Sequence, residues 1–194
     1  MDVKKFRIFQ IMNKNESTEI DISLKNLPDN LAKLIKGSLD NSSSSKKLAA
    51  RKTIVKMGRS IIPQIHKLLV AENNLLRMEA AKIAELIADR RSIPFLINLL
   101  DDKVFEIRWI AAEGLIKAGR RSILPLLMSV RDGKSSILFN NGAHHVLISL
   151  LNENEKGKLS SLLLSLENTN ELGETAPVEA SEAIKTIFKR KDTI

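Results

Sequence analysis

Side chains that commonly do chemistry are thinly spread in this sequence. There is no cysteine, which removes disulfides, thiolate metal sites and a cysteine nucleophile. The histidines are His66, His144 and His145. Adjacent residues on a helix point to different faces, so His144 and His145 do not readily converge on one metal ion. No H-E-x-x-H, G-x-S-x-G or glycine-rich phosphate loop occurs. The acid pair Asp101–Asp102 has an ordinary task at hand as loop partners of Arg108. The expectation is no catalytic residue, no metal and no cofactor. What is left is cationic: 31 Lys+Arg against 23 Asp+Glu, a formal charge of +8. Residues 45–135 hold 18 and 9 of these, and the rest of the chain 13 and 14. An acidic partner is the chemistry this excess allows.

The elements that must position these cations are repeated. Pro63, Pro94 and Pro125 are spaced 31 residues apart. The same shift relates Ala49, Ala80 and Ala111, then Ala50, Ala81 and Ala112, and the apolar positions around each proline. Each unit reads as two helices, the first with alanines where a second backbone must approach closely. The second helix starts near Ser60, Ser92 or Ser122, which are candidate N-caps. Its proline falls in the first turn, where a missing N–H costs little. Gly58 and Gly119 mark the turn between helices in two of three units.

The segments L-R-M-E-A-A-x-x-A (76–84) and S-I-P-F-L-I-N-L-L-D-D (92–102), with I-R-W-I-A-A-E-G-L (107–115) and I-L-P-L-L (123–127), resemble HEAT repeats. The short bacterial PBS-lyase HEAT-like form is the most similar. This resemblance covers roughly residues 45–152 and implies an all-α fold, an α-solenoid of helical hairpins. It does not imply an activity, because family members mostly bind macromolecules and only some are enzymes. The repeats are expected at 46–73, 74–104, 105–135 and a degenerate 136–166. In the last, a further shift of 31 sets Phe139 under Arg108, Gly142 under Ala111 and Ala143 under Ala112.

The flanks read differently. Residues 1–45 form an N-terminal segment with a possible β-hairpin, its strands at Lys5–Met12 and Thr18–Leu24. A helix at 27–36 follows, then a serine-rich linker at 41–45. Residues 167–194 read as a polar loop and a C-terminal capping helix, with Ala180, Ile184, Ile187 and Phe188 on one face.

Two arginine columns run through the repeats. Lys46, Arg77 and Arg108 open the first helices, where an ion-pair ladder with Glu72, Asp101 and Asp102 is expected. Arg59, Arg90 and Arg121, thickened by Arg91 and Arg120, sit in the turns. They form either a solvated edge or a basic ridge. On the second helices Lys67 is cationic, and Phe95 and Leu126 either form an exposed apolar patch or pack between repeats. Trp109 reads as a packing residue. These residues suggest a non-catalytic scaffold or adaptor for an acidic or amphipathic protein partner. Nucleic-acid binding through the basic edge is the alternative, as is a relative of the DNA glycosylases or phycobilin lyases among HEAT-like proteins. One tryptophan and no tyrosine offer little for either of those chemistries. No apolar run approaches the roughly 18 residues of a membrane span, and with no signal-peptide pattern the expected location is cytoplasmic.

Overall fold

The computed structural model describes residues 16–40, 42–167 and 175–188, and every regular element among them is helical. The chain forms two compact units, Met1–Ile83 and Ala84–Ile194.

The first unit contains α1 (16–24), α2 (Asp29–Leu39), α3 (Ser44–Lys56), α4 (Ile62–Leu69) and the start of α5 (Asn74–Ile87). Residues 16–24 are therefore helix, not the strand expected over Thr18–Leu24. The reason is spacing. Leu24, Leu27, Leu31 and Ile35 are buried at intervals of three and four, while Ile22 is 66% exposed, so the alternating set never defines a face. The other expected strand, Lys5–Met12, lies outside the described residues. The serine run is not a linker either. Ser43 caps α3, accepting from the Lys46 N–H, and Ser44 and Ser45 belong to the helix. α2 packs on α3.

Short 3₁₀ turns, Gly58–Ile61, Arg90–Ser92 and Gly119–Ser122, lead into α4, α6 (Ile93–Leu99) and α8 (Ile123–Arg131). They explain why the expected serine caps are absent. The turn's own carbonyls meet the first helical N–H groups, as where Ile93 N–H donates to the Arg90 carbonyl and Ile123 N–H to that of Arg120. The hydroxyls turn backward: Ser60 donates to the Met57 carbonyl and Ser122 to that of Leu115, each at 2.8 Å. Each turn opens with left-handed backbone. Gly58 and Gly119 supply it in two turns, and Ala88, at φ 50°, in the third. Asp89 secures that third turn by accepting from Arg91 N–H at 2.9 Å.

In the second unit α7 (Phe105–Ala118) packs on α6 and on α9 (Ile137–Leu150). α10 (Glu153–Lys158) leads to α11 (Ser160–Glu167), which packs on α9, and α12 (Ala176–Phe188) lies against α8 and α11. The buried positions of α7, Ile107, Ala111, Gly114 and Leu115, recur in α9 as Phe139, Ala143, Val146 and Leu147. That is a step of 32, so the expected 31-residue alignment of Phe139, Gly142 and Ala143 is corrected by one residue. α12 also buries a different stripe from the expected one. Ala176, Ala180 and Ala183 face inward while Phe188 is 39% exposed, because small side chains let α12 lie close to its neighbours.

Glu79 is almost wholly buried, and both its oxygens accept from Arg51, at 2.7 Å and 2.6 Å. Glu79→Ala should cost about 3 kcal/mol by taking both carboxylate acceptors from the half-buried guanidinium, and pairing it with Arg51→Met should recover most of that. Ala88→Gly should stabilise by up to about 1 kcal/mol, since alanine is held in left-handed backbone. Urea unfolding monitored by circular dichroism checks both.

Candidate binding surfaces

The first arginine column is built on backbone oxygens. Arg77 Nη1 donates to the carbonyls of Ala71 and Glu72 at 2.8 Å and 2.6 Å, and its Nη2 to Asn74 Oδ1 at 2.7 Å. Arg108 Nη1 donates to the carbonyls of Asp102 and Lys103 at 2.7 Å and 3.2 Å. The expected ladder of carboxylates is thus corrected to a clamp on the preceding loop. The Asp102 carboxylate instead accepts from Val104 N–H, and that of Asp101 from the Ser136 hydroxyl. One step of 32 further on, Asn140 takes the same post, donating to the Ser135 carbonyl at 3.4 Å. Lys46 is exposed at the start of α3. There Asp40's carboxyl lies below its ordinary range because Ser42 hydrogen-bonds it, with Lys46 and Lys47 adding a smaller pull.

The turn arginines divide. Arg59, Arg90, Arg91, Arg120 and Arg121 are all exposed. Arg91 is engaged by Asp89, whose hydrogen bonds raise its pKa. Arg120 is held by both oxygens of Glu155, at 2.9 Å and 2.6 Å, which raises the arginine and lowers the glutamate. Arg91 and Arg120 therefore do not thicken a free basic edge. Arg90 and Arg121 extend without a hydrogen bond or ion pair among the described residues. Arg59 belongs to the first unit.

Of the two alternatives for Phe95 and Leu126, an exposed patch or packing between repeats, the second is found. Leu126 is fully buried and Phe95 half-buried, with Ile97 also inside. α8 turns Leu126 and Leu127 both inward because neighbours cover it on more than one side. The exposed apolar residue of that helix is Met128, at 40%. Lys67 is exposed on α4.

Charge is segregated more sharply than the repeat columns suggest. Met1–Ile83 holds 16 Lys+Arg and 8 Asp+Glu, whereas Ala84–Ile194 holds 15 of each. Residues 41–71 contain seven Lys+Arg and no acid at all. α3 carries Lys46, Lys47, Arg51, Lys52 and Lys56 and has no acid in its first turn. Two of these lysines oppose the helix dipole, and Lys52 and Lys56 are like charges one turn apart. Counting charges over fixed windows hid this acid-free run. Trp109 departs only in its exposure. It stacks on His145 of α9, 5.1 Å between ring centres, so it packs against the next repeat as expected, yet it keeps 50% exposure. His145 Nε2 lies 3.2 Å from Glu113 Oε1.

A family model described as HEAT repeats matches residues 31–116. No curated protein matches the chain. With the helical hairpins on the page, the family match and the architecture agree on a HEAT-type all-α fold. No helix among the described residues is long and apolar enough to cross a membrane.

Arg90→Glu combined with Arg121→Glu should leave thermal stability within about 1 kcal/mol of the parent, because neither side chain has a hydrogen bond or ion pair to lose among the described residues. Calorimetric melting checks this, and loss of the folded state would make the column structural.

Proposed function

We propose that this chain is a non-catalytic HEAT-repeat adaptor that docks an acidic segment of a partner protein. HEAT repeats generally mediate protein interactions, and the observation that carries the acidic partner is the acid-free cationic run on α3. Like charges kept on one helix lower its stability, and a polyanionic partner removes that penalty. Lys52 and Lys56 lead the surface, with Arg59 and Lys67 as further exposed cations of the same unit. In the second unit Arg90 and Arg121 steer encounter without contributing to the core. The 31-residue period supports assigning the repeats to the short PBS-lyase-like bacterial class, here without lyase chemistry.

The same charge would attract a nucleic-acid backbone, and salt dependence separates the two. Titration of the intact protein with a glutamate-rich peptide should show binding that weakens about tenfold or more in the Lys52→Glu, Lys56→Glu variant. A short DNA duplex should bind more weakly than the peptide at physiological salt. Tighter duplex binding with a steep salt slope would assign the surface to nucleic acid. Binding to neither probe would end the adaptor reading of α3.

A further inference from the structure

The left-handed residues Gly58, Ala88 and Gly119 stand at one equivalent point of three hairpins, just past α3, α5 and α7. Counted back from them, Lys46, Leu76 and Ile107 share a column, as do Ala49, Glu79 and Ile110, and Thr53, Ile83 and Gly114. In α5 and α7 all three columns are buried. In α3 Lys46, Ala49 and Thr53 are all exposed, and Ile54 is the one buried residue of the helix. Elsewhere this flank is covered by the hairpin before it. On α5 it meets α3, where Glu79 is held by Arg51. On α7 it meets α5 and α6, since a Cβ on Gly114 would lie 3.5 Å from Glu85 Cα and 3.0 Å from Leu96 Cδ1. α1 does not take that post for α3. Its Asp21 pairs with Lys36 of α2 at 2.6 Å, and the three α3 residues are left exposed.

Geometry and charge name the occupant. Positions 46, 49, 53 and 56 recur at spacings of three and four, the stripe that one helix offers another, and Ala49 lets a second backbone come close. Lys46 and Lys56 lie in the stripe and Lys52 borders it, all exposed. Neighbouring acids do not cancel this charge. Glu79 is taken by Arg51, Asp21 by Lys36, and Asp40 faces Lys46 and Lys47 at the start of α3. Counting every charge of Met1–Ile83 still leaves 16 Lys+Arg against 8 Asp+Glu. A polar cap on the repeat stack explains the loss of leucine and isoleucine from these columns. It does not explain a row of cations with no acid among residues 41–71, because like charges one turn apart repel. Building on the adaptor role proposed for α3, we infer that an acidic amphipathic helix of a partner protein lies along this flank, where a preceding hairpin lies on α5 and α7. Its acids meet Lys46, Lys52 and Lys56, and its small residues meet Ala49. Residues 1–15 are a poor match in charge, with Lys4, Lys5, Arg7 and Lys14 against Asp2.

Two labelled alanine–glutamate peptides of matched charge test this on the intact protein, one stapled into a helix and one kept out of helix by central D-alanines. By fluorescence anisotropy the stapled helix should bind at least about tenfold more tightly, because its ordering is already done. Ala49→Gln adds bulk without charge at an exposed position. It should weaken the stapled peptide at least about fivefold and leave the D-alanine peptide unchanged, with circular dichroism confirming that the variant is folded. Equal binding of the two peptides, or stapled binding that Ala49→Gln does not change, would overturn the helix on this flank. If Lys52→Glu with Lys56→Glu still weakened both peptides, the adaptor reading would survive that failure. Binding of neither peptide would end both. Self-association of the parent that Ala49→Gln abolishes would put a second copy on the flank and equally overturn the assignment.

Discussion

The second unit depends on how closely its helices can approach, and two missing side chains set that distance. A Cβ on Gly114 would lie 3.0 Å from Leu96 Cδ1 and 3.5 Å from the Glu85 backbone. One on Gly142 would lie 3.0 Å and 3.3 Å from two atoms of Leu100. Ala111, Ala112 and Ala143 extend the same economy along α7 and α9, all nearly or fully buried. Close-packed interiors have little room for an added methyl. Leucines and isoleucines can therefore fill the space between hairpins only because the first helices keep their facing sides bare.

Polar groups then fix what apolar packing leaves loose. Arg77 and Arg108 each tie a helix start to the loop before it through carbonyl oxygens, and Asn140 does so with a shorter reach. A carbonyl is present whatever side chain the loop carries, so the clamp survives sequence change in the loop. Between the helices of a hairpin, left-handed backbone makes the turn, and glycine is the usual supplier. Where alanine stands instead, Asp89 and Arg91 hold the geometry with their side chains. Arg91 is occupied by this task, as Arg120 is by Glu155, which is why neighbouring arginines in one turn have different availability.

Much of this was legible in the residues, and the misses have physical causes. The hairpins, the prolines in the first helical turn and the alanine columns were readable because they follow from helix periodicity and close approach. Residues 16–24 were misread because Ile20, Ile22 and Leu24 alternate, while the helical set that includes Leu27 and Leu31 extends beyond that window. The sequence left Leu126 open between an exposed patch and packing between repeats, because one buried stripe per helix does not settle it, whereas α8 is flanked by α6, α9 and α12. The half-exposed seat of Trp109 was not foreseen. Trp109 gave a residue type, but its exposure depends on Leu138, Gly142 and His145, some thirty residues away, and only the one-residue correction of register brings those positions opposite it. The basic run on α3 was readable in principle as a stretch without acids.

The 32-residue step into α9 has a consequence for how such a chain can change. α8 has 9 residues where α6 has 7, yet the buried columns of α7 and α9 still match. The difference is absorbed at the far end of α8, around the exposed Asp132 and Gly133, where the chain leaves the helix through a glycine at φ 95°. Inherited insertions and deletions have a harmless outlet there, and what descent must preserve is the succession of bare and bulky inward positions, not a fixed count of residues per hairpin.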